Sequence, residues 1–188
     1  NGIHKINYND LLNLGITQEN INIDNIHIFG NGGGMLPHLN SDFRHEDLVE
    51  NTIQIYDDNN NGIFEQNDYL LFYGQSPNTW FYNSTSGNYS FNQHLYSDEV
   101  YYFLNISSYD NKKIISKHVT STHSEEISEF QDFLCYENES ENLISSGRLW
   151  FGDRFMSNES KTFSFNLENI VIEHPIKINT AVAARSLV

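Results

Sequence analysis

The stretch DDNNNGIFEQNDYLLFYG, residues 57–74, places a polar loop directly before an apolar run. Nine of its first twelve residues are Asp, Asn, Glu or Gln, whereas YLLFYG at residues 69–74 is almost continuously apolar. A short continuous apolar run of this kind is typical of a central strand that is buried on both faces. The sequence therefore predicts an oxygen-rich loop held against a buried strand.

The spacing of the polar residues matches a twelve-residue calcium loop, in which Gly occupies the sixth position. Aligning Gly62 with that position predicts these ligands in order: Asp57, Asn59, Asn61, the carbonyl group of Ile63, Glu65 and Asp68. Calcium takes six to eight hard oxygen ligands, which this set supplies. Asn replaces Asp twice and Asp closes the loop, so we expect a dissociation constant of about 10⁻⁴ to 10⁻³ M.

A metal-free hairpin connection is the alternative interpretation of this loop. Asx side chains can accept hydrogen bonds from nearby backbone N–H groups and so stabilise a turn without any ion. In the calcium interpretation, Phe64 points away from the ligands and anchors the loop on the core. The ion would have a structural role, because a filled loop between two strands leaves no room for catalysis.

Several segments on either side of the loop predict a mainly β fold. Short runs with alternating or continuous apolar residues, separated by turn signals, are typical of a β-sandwich. They are INIDNIHIF (21–29, one strand or two short ones), TIQIY (52–56), DYLLFYG (68–74), EVYYFLNIS (99–107) and KKIISKHV (112–119). TIQIY is expected at an edge and DYLLFYG in the centre of a sheet. NYNDLLNLGI predicts a short helix with Asn9 or Asp10 as its cap, an apolar side of Leu11, Leu12 and Leu14, and Gly15 as its stop.

The character of the sequence changes near residues 118–124, where we predict a domain boundary. We therefore expect an N-terminal β-sandwich domain at 1–120 and the start of a second β domain at 121–188. SEEISEFQDFLCYENES (124–140) predicts a helix capped by Ser124. KTFSFNL (161–167) and HPIKINTAVAARS (174–186) predict strands, and we expect both ends of the chain to lie inside a longer protein.

Charge and composition exclude several classes of function. The chain has 10 Lys and Arg against 25 Asp and Glu, a formal net charge of −15, which disfavours nucleic-acid binding. No apolar run reaches the length of a membrane span. Cys135 is the single cysteine, so neither a disulfide framework nor a cysteine-rich zinc site is expected. Its Glu-rich surroundings would raise the thiol pKa, which argues against a nucleophile.

Three other motifs have simpler interpretations than catalysis. NGGG at 31–34 is a glycine turn rather than a phosphate-binding loop, because Pro37 disfavours a following helix. His118 and His123 lack a third ligand for zinc. GRLWFGDRF (147–155) is either an Arg stacked on an aromatic ring or a partner-binding patch built on Arg148, Trp150, Phe151 and Arg154.

Six segments in order along the chain resemble one family. They are GIHKINYNDLLNLGI (2–16), IHIFGNGGGMLP (26–37), DNNNGIFEQNDYLLFYGQSPNTWFY (58–82), LYSDEVYYFLNI (95–106), SGRLWFGDRF (146–155) and AARS (183–186). Together they resemble the N-terminal region of the PorU family, the cell-surface sortases of the type IX secretion system in Bacteroidota. GNGGGMLP and the loop running into FYGQ are the most specific pieces.

The resemblance implies a role that the residues alone do not show. Sortases of this family carry a gingipain-type cysteine peptidase domain downstream, remove the C-terminal sorting domain of secreted cargo, and are held at the outer membrane by a PorV-like barrel protein. No segment here matches that peptidase domain, so the implied role is non-catalytic and at the cell surface. The alternatives are an adhesin or glycan-binding module, with Trp80, Phe81, Tyr82 or Trp150 stacking on sugars, and a protease prodomain.

Overall fold

A computed structural model of the chain describes residues 1–118, 120, 126–143, 145, 147 and 149–184. It divides into two compact units, Asn1–Glu126 and Ile127–Val188. The described residues form these elements: β1 (Gly2–Asn7), α1 (Tyr8–Asn13), β2 (Ile21–Asn22), β3 (Ile26–Phe29), β4 (Glu50–Asn51), β5 (Ile53–Tyr56), β6 (Ile63–Phe64), β7 (Tyr69–Gly74), β8 (Thr79–Asn83), β9 (Asn88–Asn92) and β10 (Phe103–Ile106), with a 3₁₀ turn at Ile23–Asn25. The predicted mainly β class is confirmed.

The first three-stranded sheet has the order β1-β7-β5, and both pairings are antiparallel. The sheet order confirms that YLLFYG is a central strand and that IQIY is an edge strand. The predicted burial of β7 on both faces is wrong, however, because Leu70 and Phe72 on one face are buried whereas Tyr73 on the other is 51% exposed. β1 was missed, because GIHKIN combines a Gly, a His and a Lys with only two Ile, and most of its side chains are exposed. It is a strand because β7 offers an unpaired edge to its backbone.

The second three-stranded sheet has the order β10-β3-β4, again with antiparallel pairings. INIDNIHIF forms two short strands, β2 and β3, separated by the 3₁₀ turn. Asn111 holds that turn, since its side-chain amide donates to the carbonyl oxygens of Ile23 at 2.7 Å and Ile26 at 3.0 Å. Ile26, His27 and Ile28 are all buried, so β3 is covered on both faces.

The hydrophobic core draws on both sheets and on the elements between them. Its buried members are Leu11, Ile21, Ile26, Ile28, Ile53, Phe64, Leu70 and Phe72. Strands of both sheets supply side chains to this one cluster, which is how two layers of a sandwich are held together. Every buried hydrophobic residue in the described part of the chain therefore lies between positions 11 and 72.

The predicted helix exists, but its cap was assigned wrongly. Asn7 caps α1: its side chain accepts a hydrogen bond from the Asp10 N–H, and the Asp10 carboxylate accepts one from the Asn7 N–H. Asp10 is thus the second half of a capping box. Of the predicted apolar side only Leu11 is buried, whereas Leu12 and Leu14 are exposed, because a helix of under two turns presents one position to the core.

Two strand predictions in the first unit need correction. KKIISKHV does not form a strand in its described residues: Lys113 makes a single parallel bridge to Ile53, and Ile115 is 90% exposed. The segment after β7, which is not among the predicted strands, contains the β8–β9 hairpin. Its signal was present in two aromatic runs separated by NSTSG, a sequence rich in turn residues.

The elements predicted for the second unit do not form in its described residues. Beyond Glu126 the described chain has no helix or strand, only an antiparallel bridge between Glu141 and Phe151. Ile127 and Phe130, which would line the buried side of the predicted helix, are each 86% exposed. An amphipathic pattern yields a stable element only when its apolar face is covered, and here it is not. Ser124, Arg185 and Ser186 lie outside the described residues.

The two alternating segments of this unit fail as strands for the same reason. In KTFSFNL, Phe163 and Phe165 are exposed, and in the following segment Ile176 and Ile178 are exposed. A strand needs a hydrogen-bonding neighbour, and none pairs with these segments in the part of the chain that the structure describes. The domain limits at 1–120 and 121–188 stay predictions.

Candidate functional site

The loop from Asp57 to Asp68 connects the edge strand β5 to the central strand β7. Within the loop, β6 pairs antiparallel with β2, so that Ile63 lies opposite Asn22 and Phe64 opposite Ile21. Phe64 is 1% exposed and its ring centroid lies 6.4 Å from that of Tyr8. The prediction that Phe64 anchors the loop on the core is confirmed.

Two carboxylates hold the backbone of this loop at its start and its end. Asp57 accepts hydrogen bonds from the N–H groups of Asn61 at 3.3 Å and Gly62 at 2.8 Å. Asp68, which is 1% exposed, accepts from the N–H groups of Asp58 at 2.9 Å and Glu65 at 2.8 Å. Buried carboxylates are stable in proteins when such bonds satisfy them. Each acid therefore closes a turn of the chain.

The side chains of Asn59, Asn61 and Glu65 meet at one point. The side-chain amides of both Asn residues donate to the same oxygen, Glu65 Oε1, and the Asn61 contact measures 3.0 Å. Their own oxygens accept from the backbone, Asn59 Oδ1 from the Asn61 N–H and Asn61 Oδ1 from the Ile63 N–H. Three of the predicted ligands, at positions 3, 5 and 9 of the twelve-residue loop, therefore lie together.

The backbone explains why the chain turns so sharply here. Gly62 has φ of +78°, a conformation that glycine adopts without the cost borne by other residues. Asn60 and Asn67 also have positive φ, at +57° and +84°, and Asn is among the residues that tolerate this region best. The Asn-rich composition of the loop therefore has a conformational cause in addition to any ligand role.

The donor set of the loop fits a calcium ion by its chemistry. All six predicted ligands offer oxygen, and the loop contains no sulfur or imidazole that would favour zinc. Across the described residues, no three His, Cys, Asp or Glu side chains form a group that could hold a metal, so a calcium site here would depend on the two Asn side chains and the Ile63 carbonyl. The metal-free alternative, Asx side chains satisfying backbone N–H groups, describes the bonds that the structure contains.

The carboxylate of Asp58, the neighbouring acid, bonds a group outside the predicted ligand set. Its carboxylate accepts a hydrogen bond from the Tyr56 hydroxyl at 3.2 Å. That bond and the negative charge of Asp58 raise the pKa of Tyr56 above its usual value. Asp58 is therefore a natural control for changes made at Asp57.

The glycine segment Asn31–Gly34 packs against the residues that follow β7. The Gly33 N–H donates to Gln75 Oε1 at 3.0 Å, and the Gly34 N–H donates to the Pro77 carbonyl at 3.1 Å. A Cβ atom on Gly33 would lie 1.6 Å from the Ser76 carbonyl oxygen, so only glycine fits. Gly32 and Gly34 have positive φ, which confirms the glycine-turn interpretation.

The β8–β9 hairpin contains Trp80, Phe81 and Tyr82, which the glycan-binding alternative names as stacking residues, together with Tyr89 and Phe91. Trp80 lies opposite Phe91 and Tyr82 opposite Tyr89. The ring centroids are 4.9 Å apart in the first pair and 4.8 Å in the second. Trp80 is 39% and Tyr82 57% exposed. Two adjacent cross-strand pairs therefore form one aromatic surface.

His27 is a buried polar hub that the sequence analysis did not single out. It is fully buried, and its Nδ1 lies 2.7 Å from Glu50 Oε1 while its Nε2 lies 3.0 Å from the Tyr109 carbonyl oxygen. Glu50 also accepts a hydrogen bond from the Lys112 N–H at 3.0 Å. These contacts tie β3 to β4 and to the chain after β10, and they occupy both nitrogens of the imidazole.

The remaining candidates lie in the second unit or outside the described residues. Cys135 is exposed, and partial burial of its sulfur together with the charge of Glu137 raises the pKa of the thiol. Trp150 is 39% exposed and Arg154 is exposed, so the patch interpretation of GRLWFGDRF stays a prediction. Arg148 and His123 are outside the described residues, and His118 is exposed.

Helices long and apolar enough to cross a bilayer are absent from the part of the chain that the structure describes. Comparison of the chain with protein-family models, with curated proteins and with solved structures found no match.

Proposed function

We propose that this chain is a non-catalytic, mainly β N-terminal portion of a cell-surface sortase of the type IX secretion system. Its role would be to support and position a cysteine peptidase domain located elsewhere in the parent protein. It would act at the outer face of the outer membrane. Its partners would be a PorV-like barrel protein and secreted cargo that carries a C-terminal sorting domain.

One observation carries this proposal: the segments that resemble the sortase family pair with one another. The segment at 2–16 supplies β1, which pairs with β7 from the segment at 58–82. The segment at 26–37 supplies β3, which pairs with β10 from the segment at 95–106. Four stretches chosen only by their sequence likeness thus supply the central strand and one edge strand of each three-stranded sheet, as expected if the likeness reflects a shared fold.

The two most specific pieces of the resemblance also contact each other. GNGGGMLP and FYGQ lie about 40 residues apart in sequence, and the Gly33 N–H donates to Gln75 at 3.0 Å. The Gln75 N–H in turn donates to the Tyr102 hydroxyl at 2.8 Å. This contact supports the proposal because both pieces belong to the same resemblance.

The chemistry of Cys135 supports a non-catalytic role for this portion. A thiol nucleophile needs a lowered pKa, because the thiolate is the reactive form. Here burial and Glu137 raise the thiol pKa, which leaves less thiolate at neutral pH. The peptidase chemistry of the parent protein would therefore depend on a different cysteine.

The proposal includes a structural calcium ion in the loop between β5 and β7. Asp57, Asn59, Asn61, Glu65, Asp68 and the carbonyl of Ile63 would hold it. The ion would supply positive charge between carboxylates that lie in one loop, and so stiffen the connection between an edge strand and a central strand. It has no step in any reaction.

The proposal is tested by isolating the native polypeptide from its bacterial source with antibodies raised against this chain. We expect a polypeptide longer than 188 residues, found in the outer-membrane fraction and labelled by a biotinylated peptidyl acyloxymethyl ketone, a probe for active cysteine peptidases. Mass spectrometry should identify the co-isolated proteins as an outer-membrane barrel and cargo with sorting domains. Substituting Cys135→Ala in the source strain should leave labelling unchanged.

Two results would contradict the proposal. One is a native polypeptide that lacks any probe-reactive cysteine, which would remove the peptidase partner. The other is loss of labelling in the Cys135→Ala strain at unchanged protein level, which would place the nucleophile within this portion.

A further inference from the structure

The β8–β9 hairpin presents one aromatic face and one face on which Phe81 is the single aromatic residue among polar ones. Side chains alternate along a strand, so Trp80 and Tyr82 lie on the same side, together with their cross-strand partners Phe91 and Tyr89. Phe81 lies on the other side, opposite Ser90. The aromatic face is therefore a row of two ring pairs.

Exposure shows which rings a ligand would meet. Tyr82 is 57% exposed and Trp80 is 39% exposed, whereas Tyr89 and Phe91 are half-buried. The β9 rings therefore support the β8 rings from the side, in tilted contacts of 53° and 44° between ring planes. The two β8 rings therefore remain open to solvent.

Charge is absent from this region of a strongly acidic chain. Between Asp68 and Asp98 the sequence contains no Asp, Glu, Lys or Arg, although the whole chain has 35 such residues, 25 acidic plus 10 basic. The region offers hydroxyl and amide groups from Ser, Thr, Asn, Gln and Tyr instead. The hairpin itself therefore supplies no Asp, Glu, Lys or Arg that could pair with a charged ligand, so its composition favours an uncharged one.

The size of the face decides between a protein and a small ligand. Strands of five residues, at about 3.4 Å per residue and with neighbouring strands about 4.8 Å apart, give a face of about 17 by 10 Å. That area, on the order of 170 Å², is about a fifth of the roughly 800 Å² that each partner contributes to a stable protein interface. A ligand of a few rings matches the face, whereas a folded protein partner does not.

We propose that the aromatic face of the β8–β9 hairpin binds a short, uncharged oligosaccharide. The flat faces of pyranose rings carry C–H groups with partial positive charge, which complement the negative faces of aromatic rings. The exposed Tyr82 side chain adds a hydroxyl group that can donate to and accept from sugar hydroxyls. Trp80 and Tyr82 are the stacking residues, and Phe91 and Tyr89 position them.

The test measures binding of neutral hexasaccharides of glucose, mannose and xylose to the complete chain by isothermal titration calorimetry, with hexagalacturonate as the charged comparison. We expect saturable binding of at least one neutral sugar with a dissociation constant of about 1 mM or tighter. Tyr82→Ala should weaken that binding at least tenfold, and Tyr82→Phe should retain most of it. Phe81→Ala, on the opposite face, is the matched control and should bind as the parent chain does.

Three outcomes would overturn the proposal. They are the absence of saturable binding to every neutral sugar, tighter binding of hexagalacturonate than of the neutral sugars, and equal loss of affinity in the Phe81→Ala and Tyr82→Ala variants. The Tyr82→Phe variant keeps the ring pair with Tyr89, so it reports on binding even if Tyr82→Ala opens the hairpin. The sortase proposal is tested separately, because its argument rests on the pairing of β1 with β7 and of β3 with β10.

Discussion

Two connections between strands of the first unit differ in where their aromatic side chains lie and in their charged residues. The loop between β5 and β7 buries its aromatic side chain, Phe64, and uses carboxylates to bind its own backbone. The β8–β9 hairpin exposes its aromatic side chains and contains no charged residue. The first connection is therefore part of the core, whereas the second presents aromatic rings to solvent.

The difference distinguishes a loop that stabilises the fold from a hairpin that is available for binding. A loop whose backbone N–H groups are bound by a buried carboxylate cannot open without exposing those groups and the Phe64 ring. A two-stranded hairpin is only marginally stable by itself and can open without disturbing the core. We expect the loop to control the stability of the unit and the hairpin to control only what binds to it.

The largest effect is expected from truncating the aromatic side chain of each connection. Phe64→Ala should lower the free energy of unfolding by about 3–5 kcal/mol, because it removes a fully buried ring and leaves a cavity. Phe81→Ala, at a position that is 55% exposed, should change it by less than about 0.5 kcal/mol. Urea unfolding followed by circular dichroism measures both, and similar losses would break the distinction between the two connections.

The next effect comes from the carboxylate that closes the loop. Asp68→Ala should cost about 2–4 kcal/mol, because it leaves the N–H groups of Asp58 and Glu65 without their acceptor. Asp58→Ala is the matched control, since its carboxylate bonds only the exposed Tyr56 hydroxyl, and should be nearly neutral. If Asp68→Ala proved as mild as Asp58→Ala in the same urea titrations, the loop would not be part of the core.

Calcium should stabilise the unit through the loop and leave the hairpin unaffected. At about 10 mM calcium, the expected dissociation constant corresponds to about 1–3 kcal/mol of added stability. Thermal unfolding with calcium and with EDTA measures this difference. Asp57→Asn should abolish the calcium-dependent part, whereas Asp58→Asn should preserve it. An unchanged melting curve after chelation of the parent chain would contradict the calcium proposal.

The smallest change in stability is expected from substituting the glycine with positive φ in each connection. Gly62 and Gly87 both have positive φ, at +78° and +65°, and a Cβ at either position would meet no atom within 4 Å. Gly62→Ala should lower global stability by about 1 kcal/mol through backbone strain alone. Gly87→Ala should leave the global midpoint unchanged and speed amide exchange only in β8 and β9, since the hairpin opens locally. Equal shifts of the midpoint would show that the hairpin is coupled to the core.

The sequence predicted those elements for which the apolar pattern and the turn residues indicate the same structure. TIQIY, YLLFYG and the anchoring of Phe64 followed from apolar patterning and from the glycine at position 62, because the core covers those side chains. β1 could not be predicted, since its backbone is set by the free edge of β7 rather than by its own residues. The hairpin was missed although its aromatic runs and turn residues were visible.

The errors in the second unit have a common physical cause. Amphipathic patterns at Ile127 and Phe130, and at Ile176 and Ile178, describe faces that could be buried, but their side chains are exposed in the structure. A pattern predicts that a face can be covered and does not supply the element that covers it. In the loop at 57–68, the spacing of the oxygen-bearing residues predicts a calcium site. The hydrogen bonds that Asn59 and Asn61 accept from the backbone could not be predicted, because they depend on the exact path of the backbone.

Native-state hydrogen exchange tests the central contrast most directly. The N–H groups of Asp58 and Glu65, which donate to buried Asp68, should exchange only through global unfolding, at a free energy equal to that from urea titration. The amides of β8 and β9 should exchange through local opening at a much lower free energy. Fast exchange at Asp58 and Glu65, or hairpin amides protected to the global level, would contradict the division between a core loop and an independent binding hairpin.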